Sequence, residues 1–238
     1  MSCPLCSHAD NKPLGKKDGY TVVACRACGL RYVREMPALT ELSEYYAAYH
    51  GNAKNVHNAA RKVGRWRRKL LLLKLFARGK EFLDVGCNTG FAVEAARQLG
   101  FHASGCDLSS EAIALARAAY PGCHFEHGTA QTAAAAGRRY DTVLCAEMIE
   151  HLTELQTLAE ALSALVKPGG ILFLTTPNAR HFLTPKDFLS WKEVCPPHHL
   201  IYFAREQIKT FLDQAGFNVS YFLPMLHKPS IRVMARRR

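Results

Sequence analysis

Two sets of residues in this 238-residue chain are spaced for chemistry: paired cysteines near the amino terminus and a glycine turn further in. Cys3 and Cys6 in "CPLC", then Cys25 and Cys28 in "CRACG", form two chelating pairs with 18 residues between them. Each CxxC turn lets two thiolates reach one ion, and four close a tetrahedron around zinc with no open position for water. The pattern predicts a structural zinc site. A segment of about 35 residues buries too little apolar surface to hold itself together, so the ion would supply its folding energy. His8 reads as a turn residue rather than a fifth ligand.

The second set is "LDVGCNTG", Leu83 to Gly90, a strand emptying into a turn. Gly86 lets backbone approach a ligand, and Gly90 lets the next helix begin without a β-carbon in the way. A dinucleotide fingerprint would read G-x-G-x-x-G, whereas Gly86-Cys87-Asn88-Thr89-Gly90 keeps only its ends. Asp107 closes the next strand, where a carboxylate can accept both hydroxyls of a ribose. Its alternative is to cap the helix that starts at Ser109 or Ser110.

Elements to hold these residues are legible around them. From Glu81 the chain alternates strand and helix: "EFLDV", "FAVEAARQLG", "HASGCD", "SSEAIALARAAYPG", "CHFEHG", "YDTVLCAE", "TELQTLAEALSALVKPGG", "ILFLTTPN", "AREQIKTFLDQAGF". "NVSYFLP" and "SIRVMAR" follow as a closing hairpin. This rhythm predicts an α/β domain with a mostly parallel seven-stranded sheet covered by helices on both faces. Before it come the zinc ribbon, residues 1–36, and a basic helical cap or linker, residues 37–80, leaving 81–238 as the α/β domain. "ELSEYYAAYHG" and "HNAARKVGRWRRKLLLLKLFARG" are the helices of the cap, with Tyr45, Tyr46 and Tyr49 placed to cover a pocket or to fill its core.

The hydrophobic content of 48% suits a self-supporting globular core. The longest apolar run, "LLLLKLF", is far short of the roughly 20 residues that span a bilayer. "MSCPLC" is no secretory leader, and the remaining five cysteines are scattered as in a reducing compartment, so a cytoplasmic location is expected. The net charge of +11 admits anionic partners. Residues 45 to 80 hold ten Lys or Arg and no acid, and the chain closes on "MARRR". A solvated helix face and a binding surface both fit that charge.

"LDVGCNTG", "GCDLS", "YDTVLCAEMIEHL" and "LVKPGGILFLTTPN", in this order and at these intervals, resemble the class I methyltransferases that use S-adenosylmethionine. Within them the likeness is to the small enzymes similar to the ubiquinone-biosynthesis O-methyltransferases, over residues 81 to about 222. The resemblance implies a Rossmann-like fold and roles for particular residues. Asp84, Gly86, Cys87, Asn88 and Gly90 would bed the methionine end of the cofactor, Asp107 would hold the ribose, and Leu108 would lie against adenine. Thr129 and Ala130 stand where the family usually has an acid for the adenine amine. Glu147 and Met148 would face the gap between cofactor and acceptor, and His151 would brace the loop that follows.

The acceptor side falls in "TTPNARHFLTPKDFLSWKEVCPPHHLIYF". His199 or His198, ahead of Phe203, is expected as the base, with Tyr49, Trp191, Lys192 and Tyr202 around the substrate and Arg180 or Lys192 meeting an anionic group. The reading is methyl transfer to a small molecule, most simply a hydroxyl of a sugar, quinone or secondary metabolite. Two alternatives stand beside it: an RNA methyltransferase that recognises its target through the ribbon and basic helix, and an adaptor that binds the cofactor without transfer. A sister subunit or anionic lipid are further partners that the basic helix admits.

Overall fold

The computed structural model describes residues 2–37 and 58–238. The first cap helix, Tyr45, Tyr46, Tyr49 and the start of the basic 54–80 stretch lie outside the described residues.

Two sheets organise the chain. The larger has seven strands in the order β10-β11-β8-β7-β4-β5-β6. Its strands are β4 (Glu81–Val85), β5 (His102–Asp107), β6 (His124–His127), β7 (Tyr140–Ala146), β8 (Val166–Pro177), β10 (Phe217–Phe222) and β11 (Ser230–Arg237). Neighbours from β6 through β8 run parallel, whereas β11 is antiparallel to both β8 and β10. The inner strands are apolar on both faces, as a parallel sheet between helix layers requires.

Its helices are α1 (Ala59–Phe76), α2 (Phe91–Gln98), α3 (Ser110–Ala119), α4 (Ala130–Ala135), α5 (Leu155–Leu165) and α6 (Arg205–Gln214). In α1, Val63, Leu70 and Leu73 are buried at helical spacing and join Ala92, Val93 and Ala96 of α2 over Phe82, Ile171 and Phe173 of the sheet. The sequence misses α4, whose "AQTAAA" has no apolar stripe, and the helix held there by a Thr129–Thr132 capping box is six residues long. It also starts β8 late: α5 ends at Leu165 and Val166 already pairs with β7, after which the chain bulges through Pro168-Gly169-Gly170, with Gly169 at φ 72°, and pairing resumes at Ile171.

The smaller sheet is antiparallel, in the order β1-β2-β3-β9. β1 (Asn11–Lys17), β2 (Tyr20–Cys25) and β3 (Arg31–Val33) come from the ribbon. β9 (Ile201–Tyr202) comes from the loop after β8, pairing Arg31 with Tyr202 and Tyr32 with Ile201. The cores merge accordingly, with Cys3, Leu5 and Leu30 in one cluster with Leu200, Phe203, Ile208 and Phe211. Gln207 fastens the joint, its Nε2 donating to Cys28 O at 2.7 Å while its Oε1 accepts from Ala204 N–H. Among the described residues no helix is long and apolar enough to cross a membrane.

Candidate active site

At the carboxyl end of β4 the chain reverses through Gly86 to Thr89 into α2. Gly86 and Gly90 take φ of 75° and 81°, the left-handed region that disfavours side chains. A β-carbon on Gly90 would also sit 2.7 Å from the Phe125 ring. Asn88 enters the same region at φ 48°, with its Oδ1 accepting from Thr89 N–H at 2.7 Å. Asp107, at the end of β5, clamps this turn. Its Oδ2 accepts from Asn88 N–H at 2.8 Å and its Oδ1 from Ser109 N–H at 2.9 Å, and Ser109 in turn caps α3 through Ala112 N–H. The helix cap is therefore Ser109 and not Asp107, which holds the backbone ahead of it while each carboxylate oxygen keeps a lone pair for another donor.

The turn forms one end of a cavity of about 590 Å³. Of the residues expected to hold the cofactor, Gly86, Asn88, Asp107, Leu108, Thr129, Ala130, Glu147 and Met148 line it. Leu108 is two-thirds exposed, a greasy surface presented to whatever enters. Glu147 follows β7 with φ 51°, a costly conformation for a residue with a β-carbon, and is held there by Thr175, which accepts its N–H and donates its hydroxyl to Glu147 Oε1 at 2.8 Å.

The opposite wall is histidine-rich. His198 and His199 line it as expected, and His151 joins them, with ring centroids 4.5 to 4.9 Å apart. His199 Nδ1 lies 2.8 Å from Glu193 O, so that nitrogen carries a proton and, in the neutral ring, Nε2 carries the lone pair. Glu193 Oε2 stands 3.7 Å from the same ring. His151 Nδ1 faces His198 O at 2.6 Å in the same manner. Burial, with His199 and His198 alongside, pushes His151 down to about 3, so it stays neutral. The nitrogens of the three rings come within 4.8 Å of one another, close enough to hold a cation.

Sequence reasoning missed two cavity acids, Glu150 and Glu193. Glu150 is almost wholly buried, its Oε2 accepting from Thr176 Oγ1 at 2.9 Å while Oε1 has no hydrogen-bond partner among the described residues. Burial pushes its carboxyl well above the usual range, and Glu147 and Glu193 add to that. The sequence signal was the acid three residues after Glu147 in "EMIEH", but only the fold shows that it turns inward.

Other expected residues stand elsewhere. Trp191 and Tyr202 are buried in a third cluster with Val22, Ala179, Phe188 and Val194, where they glue the loop to the ribbon. Tyr202 spends its hydroxyl on His199 O at 2.8 Å, so it positions that histidine's backbone instead of touching the cavity. Lys192 is exposed beside Glu193, Arg180 is exposed, and Tyr49 lies outside the described residues. Cys87 packs beneath the turn against Gly105, whose missing side chain makes room for it. Gly90 serves the turn's geometry from behind. Asp84 is buried behind the turn as well, its carboxyl pushed well above the usual range by burial and then by Asp107.

The four ribbon cysteines converge. Cys3 and Cys28 sulfurs are 3.6 Å apart, as are those of Cys6 and Cys25, close to the roughly 3.8 Å edge of a tetrahedron with 2.3 Å metal–sulfur bonds. Burial pushes the Cys3 thiol up to about 11 and the Cys28 thiol in the same direction, a cost that a cation at the centre would reverse.

Comparison with known proteins agrees with this architecture. A methyltransferase domain family matches residues 56–221. The ubiquinone biosynthesis O-methyltransferase of Paraburkholderia phytofirmans is 38% identical over 105 residues, which are 42% of this chain and 45% of that protein. Its Proteus mirabilis counterpart is 29% identical over 144 residues, 48% of this chain and 59% of that one. The chain thus spans about half the length of the curated relatives it matches. The magnesium protoporphyrin IX methyltransferase of Synechocystis, solved with S-adenosylmethionine bound, aligns over 84% of this chain and 99% of its own at a TM-score of 0.58 and 16% identity, a likeness of fold. With the glycine turn, the seven-stranded sheet and the match over residues 56–221, the chain belongs to the methyltransferase domain family, as a class I, S-adenosylmethionine-dependent member related to the ubiquinone O-methyltransferases, with an added cysteine cluster able to chelate a metal.

Proposed function

We propose that the chain transfers a methyl group from S-adenosylmethionine to a hydroxyl of a small-molecule acceptor. One observation carries this reading: a single cavity has a clamped glycine turn at one end and an imidazole with a free lone pair at the other. S-adenosylmethionine supplies a methyl on a sulfonium: the acceptor oxygen bonds that carbon in line as its bond to sulfur breaks, and the sulfur leaves as a thioether. Gly86 and Asn88 receive the methionine end along the backbone, with Asp84 buried behind the turn they form. Asp107 accepts the ribose hydroxyls with its spare lone pairs. Leu108 and Ala130 flank adenine, with Thr129 or Gln131 meeting its amine in place of the missing acid.

His199 is the base. Its Nε2 takes the acceptor's proton as the oxygen attacks, and Glu193 steadies the imidazolium that results. His198 stands ready beside it, whereas His151, held neutral down to low pH, is too weak a base and braces the loop through His198 O. The cysteine cluster takes zinc as a structural ion, since four sulfur ligands leave no open coordination position.

The test follows labelled methyl from S-adenosylmethionine into a cell lysate fractionated into small molecules, lipids, RNA and protein. Label in a metabolite or lipid bears the proposal out and delivers the acceptor. Label in RNA would hand the basic helix and ribbon the role of recognition surface. Cofactor binding with no label anywhere would leave the adaptor reading standing.

A further inference from the structure

The basic residues at the carboxyl terminus and those facing it from α1 are used differently. Arg236 donates to Gly169 O and Phe76 O, Arg237 to Ser163 O and Gly216 O, and Arg238 pairs with Asp213, so the "MARRR" terminus is spent on structure. Arg232 is different. It is half-buried, and among the described residues neither it nor Arg65, Lys69 or Lys228 has an acidic partner within ion-pair distance.

Strand and helix geometry puts Arg232 beside Lys69, with Arg65 one helical turn before Lys69 and Lys228 just ahead of β11. Even-numbered side chains of β11 face α1: Met234 joins the cluster beneath the helix, and Arg236 reaches Phe76 O at 3.3 Å. Arg232 lies about 13 Å back along the strand from Arg236, and Lys69 lies about 10 Å back along the helix from Phe76, so the two stand level. The cross-strand partner of Arg232 is Thr175, which holds Glu147 Oε1, and Glu147 lines the cavity. Lys69 Nζ stacks 4.0 Å over the Trp66 ring, fixed in the same corner. Arg232 and Lys69 therefore converge on Glu147 at the cavity's edge, with Arg65 and Lys228 the next cations along the helix and chain.

We infer that Arg65, Lys69, Lys228 and Arg232 form a subsite, at the Glu147 edge of the cavity, for an anionic group of the acceptor, a phosphate or a carboxylate. This rests on the methyl-transfer reading above and narrows its substrate class. The subsite is electrostatically incomplete without that group. Burial, with Arg232, Lys228 and Arg65 nearby and Glu147 the only opposing charge among these neighbours, pushes Lys69 down to about 8. An anion docking there would restore its charge, and would bind more weakly as pH rises past that value.

The experiment uses the full chain saturated with S-adenosylhomocysteine, which keeps a probe anion out of the cofactor bed. Lys69 acetylation by an activated acetate ester is read by mass spectrometry with and without inorganic pyrophosphate or succinate. Either anion should protect Lys69 by about fivefold while exposed Lys12 reacts unchanged, and the stronger protector identifies a phosphate or a carboxylate acceptor. By calorimetry, Lys69→Gln and Arg232→Gln should each weaken that anion about tenfold, Arg232→Lys less, and Arg139→Gln on the far side not at all. Saturable S-adenosylhomocysteine binding with neither protection nor anion binding would overturn the subsite and leave methyl transfer standing. Failure to bind S-adenosylhomocysteine would sink the underlying reading. Protection by a short single-stranded RNA but not by pyrophosphate would overturn the small-molecule acceptor in favour of RNA.

Discussion

The two ends of the cavity are built on different principles. The cofactor end is local: Asp107 reaches Asn88 across 19 residues, along one strand–helix–strand unit whose parts are consecutive in the chain. The acceptor end is assembled from afar. His151 meets His198 across 47 positions, Val33 donates to Leu200, and Gln207 reaches Cys28 across 179. Because β9 completes the ribbon's sheet, the residues just before it, His198 and His199, depend on a fold nucleated by the cysteines. Cofactor binding and methyl transfer should therefore be separable by substitution.

The largest effect should come from Gly90→Val, which puts a branched side chain at a left-handed φ and into the Phe125 ring. Strain and overpacking together should cost about 4 kcal/mol. Thermal unfolding and S-adenosylhomocysteine calorimetry should show a large stability loss with cofactor binding abolished. Retained tight binding would mean that the turn is not the cofactor bed.

Cys25→Ser, or chelation of the ribbon's metal, attacks the other end. A four-thiolate site that loses a ligand loses most of its affinity, and the segment's folding goes with it. Transfer should fall by about 100-fold, the size of a lost general base, while cofactor affinity holds within about threefold. An equal fall in both would break the comparison and make the ribbon a brace for the whole molecule.

His199→Gln is finer. The amide can still donate to Glu193 O but cannot take a proton, so kcat should drop about 100-fold with the cofactor Kd unchanged. An unchanged kcat would move the proton's destination to His198 or to solvent.

The same contrast explains what could be read from the sequence. The sheet's strands, all of its helices but α4, the glycine turn and the place of Asp107 at a strand end were legible because each is written in a run of neighbours: apolar stretches at strand or helix period and a Gly–x–x–x–Gly interval. The four cysteines were legible because chelation fixes spacing. Trp191 and Tyr202 were misplaced because an aromatic beside a pocket and an aromatic beneath a loop look alike until the loop's partner is known, and that partner is Val22, some 170 to 180 residues earlier. Glu150 and Glu193 were missed for the same reason. Which way a short turn points its acid is decided by Thr176 and His199, not by the acid's neighbours.

The smallest expected effect tests that acid. Because burial pushes its carboxyl well above the usual range and so favours the protonated form, Glu150→Gln is close to a mimic, and the amide can still accept from Thr176. It should change stability by less than about 1 kcal/mol near neutral pH, whereas Glu150→Ala should cost about 2 kcal/mol by stranding Thr176. The pH dependence carries the sign. A carboxyl raised in the folded state favours folding fully below its unfolded value and loses that contribution as pH rises towards its folded one. The Tm of Glu150→Gln should therefore gain on wild type as pH climbs out of the ordinary carboxylate range. If it falls behind instead, Glu150 is ionised in the native protein, and a carboxylate stands beside His199 as a second group able to take the acceptor's proton.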